Sequence, residues 1–104
     1  MALQGNTYWI AYRIESDGDF ARRYERLARV IEDAADGRVW GEPASFTLFR
    51  SKLALDEIAN RVGGVLRVDR DFAVIGMSFK QNAKLIGHWK DDRIRELLTY
   101  ADVA

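Results

Sequence analysis

Two hydrophobic patterns alternate along this chain, and their order constrains the fold more than any other feature. Residues 7–15 are rich in aromatic and β-branched side chains and follow the period of two that is typical of a strand. Residues 20–34 change to spacings of three and four, which place the apolar side chains on one helical face. These side chains are Phe20, Tyr24, Leu27, Ile31 and Ala34. A strand followed by an amphipathic helix is therefore predicted, with Gly37 as a suitable helix stop.

The same alternation continues through the middle of the chain. Residues 38–40 and 45–50 flank a turn that holds the only proline, as the two antiparallel strands of a hairpin do. A second helical face follows, and the glycine pair at 63–64 is expected to weaken or end it. The apolar residues of that face are Leu55, Ile58, Val62 and either Val65 or Leu66. Residues 72–79 are apolar on both sides and predict a fourth strand.

This order of elements predicts an α+β fold. Strand, helix, strand, strand, helix, strand is the ferredoxin-like βαββαβ order, in which an antiparallel sheet carries both helices on one face. At 104 residues the chain has the length of one domain, so residues 1–104 are expected to form a single unit with a core at about 7–79. Residues 80–104 predict a C-terminal extension with a short strand at 85–89 and a final helix. That helix is marked by Ile94, Leu97, Leu98 and Ala101.

The sheet face without helices is expected to be apolar as well. Trp9 and Ala11 lie on the side of the first strand opposite Ile10, so both sides of that strand are suited to burial. Because large exposed apolar patches are rare on monomers, a second copy of the chain is expected to cover this face, and the C-terminal residues are the alternative cover. The candidate dimer-interface residues are Trp9, Ala11, Arg13, His88 and Trp89.

Composition excludes several kinds of site. The chain has no cysteine, which removes disulfides and thiol nucleophiles, and His88 is its only histidine, which removes a histidine pair for zinc. Asp17 with Asp19, and Asp69 with Asp71, have the spacing of some cation loops, but we interpret them as helix-capping and turn residues. The sequence therefore predicts no catalytic residue, no metal and no cofactor.

Charge and hydropathy limit the partners and the location. The sixteen basic and sixteen acidic residues cancel, so contact with nucleic acid would require a local patch. The first residues lack the pattern of a secretion signal, and the longest apolar run, around residues 72–77, is far shorter than the roughly 20 residues of a membrane helix. We therefore expect a cytoplasmic protein that has no membrane partner.

The first helix carries the most basic local surface. Arg22, Arg26 and Arg29 lie opposite the apolar stripe, and the simplest interpretation is a solvated face with acid partners such as Glu25. Positive charge near the start of a helix opposes the helix dipole, however, and an external phosphate would compensate for it. These three arginines and Arg13 are therefore the candidate nucleic-acid-binding residues.

The order and spacing of the elements resemble a known family. The strand that ends in residues 12–14, the hairpin through residues 40–49, the helix at 55–62 and the strand within 69–79 are similar to CRISPR-associated Cas-two proteins, virulence-associated protein D toxins and their small relatives. The similarity covers about residues 7–90. It implies a ferredoxin-like domain that dimerises through its sheet and has either metal-dependent nuclease activity or a scaffold role in nucleic-acid handling.

The sequence departs from that family at one functional position. The family's first strand commonly ends in tyrosine, aspartate and an aliphatic residue, and the aspartate is the proposed metal ligand, but Arg13 occupies this position here. A guanidinium has no free lone pair and stays positive, so it would repel a metal ion. We therefore expect a non-catalytic homodimer associated with RNA, DNA or a nucleic-acid-handling partner. The alternatives are a protein-interaction or regulatory module that uses the second sheet face, and a divergent metal-dependent ribonuclease that uses Asp17, Asp19 or Glu15.

Overall fold

The computed structural model describes residues 5–104, and within them it contains six strands and three helices. The elements are, in chain order, β1 (Asn6–Arg13), α1 (Phe20–Ala34), β2 (Ala35–Trp40), β3 (Phe46–Ser51), α2 (Leu55–Gly63), β4 (Phe72–Met77), β5 (Ala83–Gly87), α3 (Arg93–Leu97) and β6 (Ala101–Val103). The expected α+β class is confirmed, and strands and helices follow each other through β4 in the predicted order.

All six strands belong to one sheet with the order β2-β3-β1-β4-β5-β6. Neighbouring strands are antiparallel from β2 to β5, but β5 and β6 are parallel. The sheet is therefore mixed, because an antiparallel pairing of β1 to β4, as predicted, is extended by a parallel pair that includes β6, a strand not predicted from the sequence. The parallel pair arises because the chain crosses over through α3 between β5 and β6, and a crossover returns the chain in its original direction.

The core lies between one face of the sheet and the helices α1 and α2. Tyr8 and Ile10 of β1 are fully buried in it together with Leu27 of α1 and Ile58 of α2. Tyr8 also donates a hydrogen bond of 2.7 Å from its hydroxyl to the carbonyl oxygen of Leu53, which satisfies its one polar atom in the core. The predicted apolar face of α1 is therefore buried from Leu27 onward, whereas Phe20 and Tyr24 at the start of the helix are exposed.

The junction of α1 and β2 differs from the prediction. The helix ends at Ala34, and the strand begins at once with Ala35 in an extended conformation. Gly37 is not the helix stop, because it lies inside β2 with φ +73, where the pairing with β3 shifts register between Ala35 and Val39. Glycine is favoured at such an irregular position of a strand, because a left-handed backbone conformation is costly for other residues. At α2, by contrast, the helix ends at Gly63 as expected.

The C-terminal residues form different elements from those predicted. The extra strand begins and ends two residues earlier than predicted, at Ala83 and Gly87, and the helix has only five residues. Leu98 and Ala101 fall after this helix, and Ala101 begins β6, which the sequence did not predict. A three-residue strand carries too little periodicity to be recognised without its partner strand. Among residues 5–104, none of the helices has the length and hydropathy needed to cross a membrane.

Candidate functional site

A buried ion-pair junction lies where β1 leads into α1 and where α2 leads into β4. It consists of Asp17, Arg23 and Asp71, of which Arg23 is 2% exposed and Asp71 is 0% exposed. The Arg23 Nε donates to Asp71 Oδ2 at 2.9 Å, and its Nη1 donates to Asp17 Oδ1 at 3.0 Å. Its Nη2 also donates to the carbonyl oxygen of Glu15 at 3.1 Å. Every nitrogen of this guanidinium therefore has an acceptor inside the chain.

Asp71 is held by backbone donors as well as by Arg23. The N–H of Glu15 donates to its Oδ1 at 2.9 Å and the N–H of Arg67 to its Oδ2 at 2.8 Å. Burial alone would raise the pKa of Asp71, but the backbone N–H groups of Arg67 and Glu15, together with Arg23, lower it below the ordinary value. Asp71 thus connects the loops that contain Glu15 and Arg67, which are far apart in sequence. The lowered pKa means that these contacts stabilise the ionised carboxylate.

Asp17 completes the junction from the outer side. It accepts hydrogen bonds from Arg23, from the N–H of Asp19 at 2.8 Å and from Arg70 Nη1 at 3.0 Å. The hydrogen bond from Arg23, followed by that from the Asp19 N–H, lowers the pKa of Asp17 to about 2. The interpretation of Asp17 and Asp19 as capping residues was wrong, because α1 has no side-chain cap hydrogen bond. Asp71 closes the turn of residues 67–71, as its turn interpretation predicts, and it is in addition a buried ion-pair partner.

The side chain of Arg13 forms hydrogen bonds to neighbouring loops. Its Nη2 donates to the carbonyl oxygens of Arg70, at 3.0 Å, and of His88, at 2.8 Å. Its Nε lies 3.4 Å from a carboxylate oxygen of Glu15, which also lies 3.5 Å from Lys90 Nζ. Arg13 therefore ties the end of β1 to two other loops, and its side chain remains 35% exposed.

Two of the three candidate arginines on α1 have an acid partner. Arg22 lies 3.2 Å from Asp19, and Arg29 lies 3.7 Å from Glu25. Arg26 is exposed, and within residues 5–104 it forms no ion pair. The expectation that the charge at the start of α1 lacks compensation was wrong, because Asp17 and Asp19 directly precede the helix and supply the negative charge that its dipole favours.

The second face of the sheet, opposite α1 and α2, is divided into two halves. On its covered half, Val74 and Leu85 are buried beneath side chains of the C-terminal residues. The side chains that pack against these two residues from residues 89–101 are Trp89, Ile94, Leu98 and Ala101. Of the predicted interface candidates, Trp89 therefore packs against its own chain, where its Nε1 donates to Asp92 at 2.8 Å. His88 is exposed.

Trp9 lies at the boundary between the two halves. In the sheet register it pairs with Gly76 of β4 and Leu48 of β3. A Cβ atom at position 76 would lie 2.7 Å from the Cζ2 atom of Trp9 and 2.7 Å from the carbonyl oxygen of Asn82. Since such distances are sterically forbidden, only glycine at this position lets the indole lie across the backbone of β4.

The other half, which we call the open sheet face, is formed by β1, β2 and β3. Its residues are Thr7, Trp9, Ala11, Arg38, Trp40, Phe46, Leu48 and Arg50. Trp40 is 47% exposed, and the other apolar side chains are only half-buried. A shallow cleft of about 400 Å³ lies here, and Arg38, Trp40, Leu48 and Arg50 contribute to its lining. Aromatic and cationic groups therefore share one accessible surface.

The open sheet face carries two arginines that resemble Arg26 of α1 in having no acid partner among the described residues. Within residues 5–104, neither Arg38 nor Arg50 forms an ion pair or a side-chain hydrogen bond, so both guanidinium groups are available to an external anion. Neither residue was predicted from the sequence as a binding residue. The sequence pattern that could have identified them is the period of two in a strand. It places Arg38 and Trp40 on one side of their strand, and Leu48 and Arg50 on one side of the neighbouring strand.

The buried position of Arg23 was not predicted from the sequence either. This residue lies four positions before Leu27, hence on the apolar side of α1.

No metal site is found among residues 5–104, because they bring together no group of three or more histidine, aspartate or glutamate side chains that would hold an ion. Comparison with protein families, with curated proteins and with solved structures finds no match.

Proposed function

We propose that the protein is a non-catalytic domain that binds single-stranded nucleic acid through the open sheet face. The observation that carries this proposal is the pair of unpaired arginines, Arg38 and Arg50, beside the exposed ring of Trp40. Proteins bind single strands by stacking bases on aromatic side chains while cationic groups contact the phosphates. The open sheet face offers both kinds of contact within one cleft.

The proposal includes a ferredoxin-like core related to the Cas-two and virulence-associated protein D group. Two features of the topology support this relationship. The helix α1 connects β1 to β2, and β3 lies between these two strands in the sheet. On its other side, β1 pairs with β4. In this interpretation β5, α3 and β6 are an extension added at the β4 edge. Arg13, which is anchored to two carbonyl oxygens, stands where that group places an acid, and this supports the absence of metal-dependent cleavage.

Charge favours a nucleic acid over a second copy of the chain as the occupant of this surface. A symmetric dimer places the same surface on both sides of the interface. Arg38 and Arg50 of both copies would then be buried in one interface, on a surface where no described carboxylate pairs with them. Like charges opposed across an interface are unfavourable, whereas a phosphate backbone would complement them.

A homodimer through the same face is the second candidate, and a specific observation supports it. Trp9, Ala11, Phe46 and Leu48 make a continuous half-buried strip across β1 and β3. Such a strip is what a sheet-to-sheet interface buries. The two candidates can be distinguished by experiment. Dimerisation through the strip would raise the molecular mass of the protein in the absence of nucleic acid, and it would compete with nucleic-acid binding.

The salt dependence of binding is a quantitative consequence. Two phosphate contacts, one for Arg38 and one for Arg50, predict a slope of about −1.4 for log K against log salt on a single strand. Affinity should then fall about sevenfold between roughly 50 mM and roughly 200 mM salt. A much steeper slope would require more cationic contacts than the open sheet face provides.

The experiment is fluorescence anisotropy with a labelled single-stranded oligouridylate. The double variant Arg38→Gln/Arg50→Gln should abolish the salt-sensitive binding, while Arg26→Gln/Arg29→Gln, which removes the same charge from α1, should retain it. If both double variants lose binding equally, the interaction depends on the overall positive charge of the protein. If only the α1 variant loses binding, the oligonucleotide contacts the helix. Either result, or no binding by the unmodified protein at low salt, would refute the proposal. Light scattering on the free protein then reports whether the strip forms a dimer.

A further inference from the structure

A second cleft, separate from the open sheet face, lies at the far end of the covered half. It has a volume of about 490 Å³ and is bounded by the end of β1, the start of β4 and the residues around α3. Its walls are apolar and are formed by Phe72, Trp89, Ile94 and Leu97, and its rim carries charged side chains. Sites for small organic molecules typically have about 300 to 1,000 Å³ and this combination of apolar walls and a few polar groups.

The apolar walls are held in place before any ligand arrives. Phe72 and Trp89 meet edge to face with ring centroids 6.3 Å apart. The Trp89 indole is fixed by its 2.8 Å hydrogen bond to Asp92, and the guanidinium of Arg95 lies 5.9 Å from its ring centroid. A wall whose rings are already oriented loses little conformational freedom when a ligand binds.

Leu97 is the most exposed large apolar side chain of the described residues. It is 80% exposed, although it lies at the cleft beside the half-buried Ile94. A single exposed leucine requires no explanation. An exposed leucine at the mouth of a preformed apolar cleft, however, adds the surface that a ligand with an apolar body would cover.

The charges at the rim leave an excess of positive charge. Arg93 is neutralised by Asp91 at 2.6 Å, so this pair contributes no net charge. Arg13 and Lys90 share one carboxylate, that of Glu15, at 3.4 Å and 3.5 Å. The Arg13 Nε is buried and makes no hydrogen bond to any described residue. Two cations and one acid at the same side of the cleft favour an anionic ligand group there.

We propose that this cleft binds a small amphipathic organic anion, which is a carboxylate or sulfonate with an apolar body. The acid group lies near Arg13 and Lys90, and the apolar body lies against Phe72, Trp89 and Leu97. Charge complementarity selects this occupant over a neutral apolar molecule, because the cationic rim would otherwise be desolvated without compensation. The cleft shares no lining residue with the open sheet face, so this site does not depend on the proposed nucleic-acid binding.

The test uses the fluorescent aromatic sulfonate 1-anilinonaphthalene-8-sulfonate as the probe. Its fluorescence should rise on binding, decanoate should displace it, and decanol at the same concentration should not. Lys90→Glu should weaken probe binding about tenfold or more, as the loss of a charged contact does. Leu97→Asn should weaken it about tenfold through the loss of apolar contact. Both residues are largely exposed, so neither variant is expected to impair folding.

Phe79→Asn is the matched control, because Phe79 is 62% exposed and lies beyond the opposite end of β4. It should leave the affinity unchanged. Equal weakening in Phe79→Asn and Leu97→Asn, or equal displacement by decanol and decanoate, would show general apolar binding and would overturn the proposal. The absence of any probe binding, or a cleft closed by a second copy as the mass rises with concentration, would overturn it too.

Nuclear magnetic resonance locates the ligand without the probe. The indole N–H resonance of Trp89, identified by its absence in Trp89→Phe, should shift on addition of decanoate. The corresponding resonance of Trp40, on the open sheet face, should not shift. A decanoate response at Trp40 but not at Trp89 would contradict the assignment of this cleft.

Discussion

Arginine has opposite roles in the buried ion-pair junction and on the open sheet face. At the junction, Arg23 donates to two carboxylates and one carbonyl oxygen, and water is excluded from it. On the open sheet face, Arg38 and Arg50 lie beside aromatic rings and have no acid partner among residues 5–104. The comparison shows that the role of an arginine here follows from the acceptors that the fold brings to it, since buried charges require partners and exposed ones do not.

The largest expected effect comes from removing an acid of the junction. Asp71→Ala leaves the buried Arg23 with fewer acceptors and deprives the N–H groups of Glu15 and Arg67 of theirs. Breaking a buried ion pair by removing one partner costs about 3 to 5 kcal/mol in the free energy of unfolding. Urea denaturation measures it.

Asp69→Ala is the control for that substitution, because Asp69 is exposed and lies two residues away. Its effect on the free energy of unfolding should stay within about 0.5 kcal/mol. A loss below about 1 kcal/mol in Asp71→Ala would mean that the junction is weaker than its geometry indicates, and the contrast with the open sheet face would then disappear.

The sequence predicted the fold better than it predicted the junction. The periods of two and of three to four located α1, α2 and the first five strands, because burial of one face imposes these periods on any amphipathic element. Gly37 and β6 were assigned wrongly or missed, because a register shift and a three-residue strand depend on the partner strand. Periodicity reports which side of an element is buried and carries no information about its neighbours.

The polar residues required the tertiary structure. Asp17, Asp69 and Asp71 look equivalent in sequence, yet two of them belong to the junction and Asp69 is exposed. Arg13 was singled out from its position in the first strand, but its hydrogen bonds reach Arg70 and His88, which are 57 and 75 residues away. Contacts of such sequence separation leave no local pattern, so the acceptor of a given arginine was not predictable from spacing.

A smaller effect is expected at the boundary of the open sheet face. Gly76→Ala places a Cβ atom against both the Trp9 ring and a backbone carbonyl, and the carbonyl has little freedom to move. Overpacking of this kind costs about 1 to 3 kcal/mol, and the displaced indole should change the near-ultraviolet circular dichroism. Gly18→Ala is the control, because a Cβ atom there would meet nothing within 4 Å. Equal stability of the two variants would contradict the placement of Trp9 across β4.

Acid should weaken the junction and leave the arginines of the open sheet face unchanged. Because the pKa of Asp17 is about 2 in the folded state, below its value of 3.8 in the absence of partners, the unfolded state takes up protons first as the pH falls. The stabilisation by Asp17 is therefore fully present above about pH 4 and is lost toward about pH 2. The lowered pKa of Asp71 acts in the same direction.

Asp17→Asn tests this pH dependence. Urea denaturation at a series of pH values should show a shallower decline of the free energy of unfolding below about pH 4 in this variant than in the unmodified protein. Asp36→Asn is the control, because Asp36 is exposed and its nearest cation, Lys52, lies 4.0 Å away. Parallel curves for Asp17→Asn and the unmodified protein would show that Asp17 keeps an ordinary pKa in the folded state.

The smallest effect on stability is expected where the largest effect on binding is proposed. Arg38→Gln and Arg50→Gln remove charges that have no acid partner among the described residues, so each should change the free energy of unfolding by no more than about 0.5 kcal/mol. Removal of two like charges from one surface even reduces their mutual repulsion. Urea denaturation of both variants, beside Asp71→Ala, measures the contrast directly. A loss above about 1 kcal/mol in either arginine variant would mean that the side chain stabilises the fold, and its availability to a phosphate would have to be abandoned.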